Sequence, residues 1–287
     1  MTSETIGFVG LGRMGGPMSR RLLEAGWKVI GIDSLAGARA GAAGVGMEVA
    51  SALGSAADCQ VVMSSLPDTP QVREVYEWLI PRLAPGSLCI DLSTISVAAS
   101  RELAAAASTK QIAFVDAPVS GTSIHAEAGT LAVMAGGEVA AVDRARRYLA
   151  AFSSSVQHIG PNGTGLMMKL ISNRLLTSHL VAIAEAITEM EATGIEVPVG
   201  LVALRAGAVP RLLDYKALPM ANRDYAPRFT IDLMSKDMRL ANELMPPGRV
   251  GLAATEVLDA ARAAGLGADD VGAVMEIVGM NQTTEPT

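Results

Sequence analysis

From residue 5 to about residue 160 the chain alternates short apolar runs with longer amphipathic ones. The runs are TIGFVG (5–10), KVIGID (28–33), CQVVMSSL (59–66), LCIDLS (88–93), AFVDAPV (113–119) and LAVMAGG (131–137). Short, nearly continuous apolar runs bounded by turn residues predict strands, and strands apolar on both sides require a sheet covered on both faces. Helical patterns between the early runs supply that cover. One of them, RMGGPMSRRLLEAG (13–26), ends on Gly26, as a helix C-terminus favours. Strand, helix and strand in repetition dictate an α/β unit with a parallel sheet.

After residue 160 the pattern changes. Residues 166–193 contain neither proline nor glycine, and apolar residues surround most of the helix they predict. About 28 residues at ~1.5 Å each make a rod of ~40 Å, longer than one domain usually needs. So apolar a rod must be covered nearly all round, so we expect it to join two domains and to pack on a second subunit. Beyond it only helical periods occur: VGLVALRAG, TIDLMSKDMRLANEL, GLAATEVLDAARAAG and DDVGAVMEIVG, with a frayed tail over residues 281–287. The expected organisation is an N-terminal α/β domain over 1–162, an interdomain helix over 163–194 and an all-α C-terminal domain over 195–287.

Composition narrows the class. Half of the chain is hydrophobic and only 3% is aromatic, so Leu, Ile, Val, Met and Ala must fill the cores. A net charge of −6, scattered rather than in blocks, lacks the basic footprint of nucleic-acid or membrane-surface binding. Cys59 and Cys89 sit in apolar runs and read as small hydrophobes in a reducing compartment. No basic leader opens the chain, and no uncharged apolar run nears the ~20 residues that cross a bilayer. A soluble, cytoplasmic protein is expected. His125, His158 and His179 lack metal-ligand spacing, so no metal site is expected.

Three segments carry chemistry. In GFVGLGRMG, residues Gly10, Gly12 and Gly15 form G-x-G-x-x-G between a strand and a helix. Gly10 permits the tight turn, Gly12 lets backbone approach a pyrophosphate, and Gly15 lets helix and strand pack closely. Asp33 ends the next strand, where an acidic residue meets the ribose of a dinucleotide. In DAPVSGTSIHAEAGT (116–130), a loop of small residues either aims N–H groups and the Ser120 hydroxyl at an anion or simply connects two elements. In GTGLMMKLISN (163–173), Lys169 and Asn173 share one helix face. They are either a satisfied pair at a domain seam or a proton-transferring amine held by a positioning amide. Only five lysines occur against eighteen arginines, and lysine, unlike arginine, can shed a proton near neutrality. Lys236–Asp237 reads, from its residues alone, as a solvated charge pair.

In this order and spacing the segments resemble the β-hydroxyacid dehydrogenase family, typified by 3-hydroxyisobutyrate dehydrogenase. GFVGLGRMGGPM (7–18) matches the opening run, DAPVSGTSIHAEAGTL (116–131) the substrate segment, and Gly163, Gly165, Lys169 and Asn173 the catalytic segment; Lys236–Asp237 matches a C-terminal Lys-Asp pair. The resemblance covers about residues 5–280 and implies a Rossmann domain, a long interdomain helix and a helical C-terminal domain. It implies Lys169 as the proton-transferring residue and Asn173 as its positioning partner. Ser120 and Gly121 would hold a substrate carboxylate, with Thr122 beside them. Gly10, Leu11, Gly12, Arg13, Met14, Gly15, Asp33, Leu66, Pro67, Thr94 and Lys236 would contact the cofactor.

The expected cofactor is NAD rather than NADP, because Asp33-Ser34-Leu35 replaces the Asn-Arg-Thr or Asn-Arg-Ser common in NADP users. The expected partners are a small carboxylate-bearing hydroxy acid and further copies of the chain, as homodimer or homotetramer. Thr122 stands in place of a glycine, His125 in place of a small residue and Val97 in place of a proline. Imine reductases share this architecture but usually carry aspartate or tyrosine for Lys169. Cofactor-binding interaction modules of the fold lack the lysine altogether.

Overall fold

The computed structural model describes residues 4–206, 212–244 and 246–280. The tail expected to fray, 281–287, lies outside the described residues. The chain divides into two compact units, Met1–Lys169 and Leu170–Thr287, so the division falls inside the long helix rather than at its start.

In the first unit the strands are β1 (Thr5–Val9), β2 (Lys28–Ile32), β3 (Glu48–Ala50), β4 (Val61–Ser64), β5 (Leu88–Asp91), β6 (Ala113–Asp116), β7 (Val119–Ser120), β8 (Leu131–Gly136) and β9 (Ser153–Gly160). The helices are α1 (Gly15–Glu24), α2 (Ala36–Ala43), α3 (Thr69–Leu79), α4 (Val97–Ser108), α5 (Ser123–Ala128) and α6 (Val139–Leu149). Among the described residues the strands form one sheet in the order β3-β2-β1-β4-β5-β6-β8-β7, with β9 paired to β8. The strand order reverses at β1, which pairs in parallel with β2 on one side and β4 on the other.

Every side chain of β4 and β5 is buried, as strands covered on both faces require. α1 lays Gly15, Met18, Ser19 and Leu22 on the sheet at helical spacing. The resulting core joins Ile6, Phe8, Met18, Leu22, Met63, Ile90 and Val115.

Two departures from the periodic reading have physical causes. β8 runs antiparallel to β6, because residues 117–130 hold only the two-residue β7 and the six-residue α5. Such a link lacks the full-length crossover helix that usually joins parallel strands. β3 and β9 escape an apolar pattern because β3 is only three residues long and β9, SSSVQHIG, is polar and only partly buried.

The second unit is helical. α7 (Thr164–Thr193) begins in the first unit and continues through the second; α8 (Val197–Ala206), α9 (Leu212–Ala221), α10 (Ile231–Leu244), α11 (Arg249–Ala263) and α12 (Val274–Met280) follow. At 30 residues α7 is ~45 Å long. It ends at Gly194, whose φ of 75° only glycine adopts cheaply. The hydroxyls of Thr177 and Thr188 donate to carbonyls one turn back, which satisfies them inside an apolar rod. Leu180, Ile187, Met234, Met238, Leu258 and Val274 build the core. Lys216 and Asp270 form a buried ion pair at 2.5 Å, and Asp270 also accepts N–H bonds from Arg228, Phe229 and Gly272. Burial raises the Asp270 pKa most, but the Lys216 contact and the backbone N–H bonds together outweigh it and hold the group below the usual carboxylate range. No helix among the described residues is long and apolar enough to cross a membrane.

Candidate active site

The C-terminal ends of the parallel strands gather most of the residues singled out in the first unit. The chain leaves β1 at Gly10, whose φ is 92° and where a Cβ would lie 2.3 Å from the Ser65 carbonyl. A Cβ on Gly15 would lie 1.9 Å from the Gly10 carbonyl, so only glycine lets α1 start there. Space beside Gly12 is open: apart from its own chain neighbours, no heavy atom stands within 4 Å of where its Cβ would be. No side chain caps α1, and its first turn holds no acidic residue. This turn fits a pyrophosphate: backbone donors, the positive end of a helix and room for close approach.

Asp33 follows β2. Its carboxylate accepts hydrogen bonds from Leu11 N at 2.7 Å and Leu35 N at 2.8 Å, which fixes it beside the glycine turn. Arg39 donates through Nη1 to the carbonyls of Asp33 and Ser34, at 2.7 and 2.9 Å.

Leu66 and Pro67 follow β4, and Thr94 follows β5. A buried network that periodicity does not reveal ties these ends together. Asp91 accepts from the Ser64 hydroxyl at 2.8 Å and from Ser93 N at 3.1 Å, and Ser93 Oγ accepts from Leu66 N at 2.9 Å. The Tyr76 hydroxyl joins Ser64 Oγ at 2.8 Å, and burial pushes the Tyr76 pKa well above its usual value. Two serines and an aspartate at neighbouring strand ends are the signal that marks such a network.

In the substrate segment Ser120 ends β7 and Gly121 turns with φ 131°. Thr122 then caps α5, a helix inside what the sequence suggests is a loop. Thr122 and His125 form a capping box: the threonine side chain accepts from the His125 backbone, and His125 Nδ1 accepts from Thr122 N at 3.1 Å. The two departures from the family pattern are therefore one feature, since each serves the other's backbone. Because Nδ1 accepts, a neutral ring carries its proton on Nε2. Val97, the third departure, opens α4.

Lys169 is only 9% exposed and Asn173, one turn further along α7, 2%. In the second unit the Asn173 amide donates to Asp237 Oδ2 at 2.5 Å, and Lys236 Nζ lies 3.1 Å from Asp237 Oδ1. Asp237 is 2% exposed, which corrects the reading of Lys236–Asp237 as a solvated pair. Asp237 as the partner of Asn173 is absent from the sequence reading. Its signal is positional: it lies among the buried stripe Ile231, Met234, Met238 and Ala241 of α10.

Asp116, the last residue of β6, is the second omission. It is fully buried and accepts from Gly163 N at 2.7 Å and Leu166 N at 3.1 Å. Burial pushes its pKa up to about 7, against those two bonds.

Known proteins resemble this chain over most of its length. Residues 5–160 match the family model of the NAD-binding domain of 6-phosphogluconate dehydrogenase. Residues 163–278 match that for the NAD-binding region of NADP-dependent 3-hydroxyisobutyrate dehydrogenase. The chain is 36% identical to an NAD-dependent L-serine dehydrogenase of Pseudomonas aeruginosa, over 84% of this chain and 85% of that protein. It is 33% identical to a 3-sulfolactaldehyde reductase of Escherichia coli, over 95% of each. A solved structure of Mycobacterium tuberculosis 3-hydroxyisobutyrate dehydrogenase with L-serine is 33% identical, with a TM-score of 0.87 over 96% of this chain and 99% of that one.

Proposed function

The chain belongs to the β-hydroxyacid dehydrogenase family, and on that premise we propose that it catalyses the reversible, NAD-linked oxidation of a small β-hydroxy acid to its semialdehyde or keto acid. It is an oxidoreductase of hydroxy acids, acting on the CH–OH group with a nicotinamide dinucleotide. The observation that carries the finer reading is a lysine buried to 9% exposure, one turn before an asparagine that a buried aspartate orients.

The turn from Gly10 to Gly15, with Leu11, Arg13 and Met14 between the glycines, holds the cofactor's phosphates, and Asp33 its ribose hydroxyls. Leu66, Pro67 and Thr94 line the nicotinamide end, and Lys236, tied to Asp237, is assigned to the cofactor. The nicotinamide supplies the hydride chemistry when bound. Ser120 and Gly121 hold the carboxylate, with Thr122 beside them. In oxidation the neutral Lys169 amine takes the proton from the substrate's hydroxyl oxygen. In reduction its ammonium returns a proton to that oxygen, stabilising negative charge where it develops. Asn173 orients the amine.

A screen of NAD reduction across β-hydroxy acids tests the reading, with 3-hydroxyisobutyrate, L-serine and threonate- and glycerate-type acids in the panel. We expect turnover of at least one acid. NAD binding without turnover of any would identify an idle cofactor-binding module instead.

Ser120→Ala is expected to raise KM for the acid about 10- to 100-fold with NAD affinity unchanged. A hydrogen bond to a charged group contributes ~1.5–3 kcal/mol, and each ~1.4 kcal/mol is tenfold. Steady-state kinetics beside cofactor titration measures this. If the corresponding alcohol lacking a carboxylate reacts equally well with wild-type enzyme, the assignment fails.

Homodimer or homotetramer formation is supported by Ile171 and Leu175, 48% and 60% exposed and one turn apart on α7. A second copy would cover this face. Sedimentation is expected to show no monomer at micromolar concentration; a well-folded monomer there would sink the proposal.

A further inference from the structure

The N–H groups of the first turn of α7 need acceptors from outside the helical ladder. Gly163, which precedes the helix, has no side chain, and the Thr164 hydroxyl donates to the Pro161 carbonyl. Asp116, 47 residues earlier, meets that need from the end of β6. Its two oxygens accept from the N–H groups of Gly163 and Leu166, the pair of donors that a local capping box would serve with two side chains.

Two further glycines bring the helix this close. A Cβ on Gly165 would stand 2.3 Å from the Met134 carbonyl and 2.8 Å from Gly136 N. A Cβ on Gly136 would stand 2.6 and 2.8 Å from the Asp116 carboxylate oxygens and 2.8 Å from Gly165 N. The first turn of α7 is thus clamped on the ends of β6 and β8 with no side chain between. Lys169 lies three residues beyond Leu166, within one turn of the clamp. Asp116 also lies four residues before Ser120, so one short segment carries both the helix anchor and the residues assigned to the substrate carboxylate.

We propose that Asp116 is a positioning residue for Lys169: its carboxylate sets the first turn of α7 and, through it, the place of the amine relative to the substrate loop. The proposal rests on Lys169 as the proton-transferring group. Misplacement of a catalytic group by an ångström costs up to about a hundredfold in rate, while binding that depends on other residues is untouched.

Asp116→Asn keeps the size of the side chain but leaves one acceptor and turns an amide N–H₂ towards a backbone N–H. We expect kcat to fall roughly ten- to hundredfold, with KM for the acid and Kd for NAD each within about twofold of wild type. The primary deuterium isotope effect on kcat should rise as the chemical step slows. Gly136→Ala presses on the same carboxylate without altering it and should give the same split, which keeps the test available if Asp116→Asn folds poorly. The two substitutions are then combined with Lys169→Arg. In that background Asp116→Asn should add little, because residues that act as a unit are not additive. An unchanged kcat per folded enzyme in both single variants, with only the melting temperature lowered, would overturn the positioning role while the Lys169 reading stands. An active Lys169→Arg enzyme would instead remove the premise.

Discussion

Lys169→Arg is expected to lose at least about two orders of magnitude in kcat while still folding and binding NAD. A structural ammonium at a seam would tolerate arginine, which keeps the charge and a long apolar stem. Proton transfer would not, because a guanidinium with a pKa above ~12 neither gives nor takes a proton near neutrality. General acid–base groups contribute ~10²–10⁴-fold, which sets the size of the loss. Because Lys169 is 9% exposed, the larger guanidinium also strains its surroundings, so kcat must be read beside melting temperature and NAD affinity. Asn173→Ala should cost less than the lysine variant, since the amide orients the amine and moves no proton itself. An active Lys169→Arg enzyme would end the proton-transfer reading.

The second large effect concerns the cofactor. NAD is expected to exceed NADP by roughly two orders of magnitude in kcat/KM. Like charges placed together cost several kcal/mol, and ~2.7 kcal/mol is a factor of about a hundred. The Asp33 carboxylate is held beside the glycine turn by Leu11 N and Leu35 N, so it cannot swing away from a 2′-phosphate without losing two hydrogen bonds. Arg39 does not offset it readily. Its Nη1 already serves the carbonyls of Asp33 and Ser34. Asp33→Asn should narrow the preference by removing the repulsion and weakening the hold on the ribose. Comparable kcat/KM for the two cofactors in wild-type enzyme would refute the assignment.

Much of this protein follows from neighbours along the chain. Continuous apolar runs alternating with helical periods determined a covered parallel sheet, and 28 residues without glycine or proline determined a long helix. Gly10, Gly12 and Gly15 before a helix, with Asp33 at the next strand end, marked where a dinucleotide is expected. These signals are legible because turn chemistry and periodicity are local properties of a backbone. The short α5 and the polar β9 left no such trace, since one is too brief for a period and the other carries no apolar run.

What only the tertiary structure decided are the pairings across sequence distance. Asp237 meets Asn173 from 64 residues away, and Asp116 meets Gly163 from 47. The apolar run that ends on Asp116 and the α10 stripe around Asp237 mark burial, but neither names a partner. Burial turns each into an acceptor that must find donors, and the fold alone determines which donors are within reach.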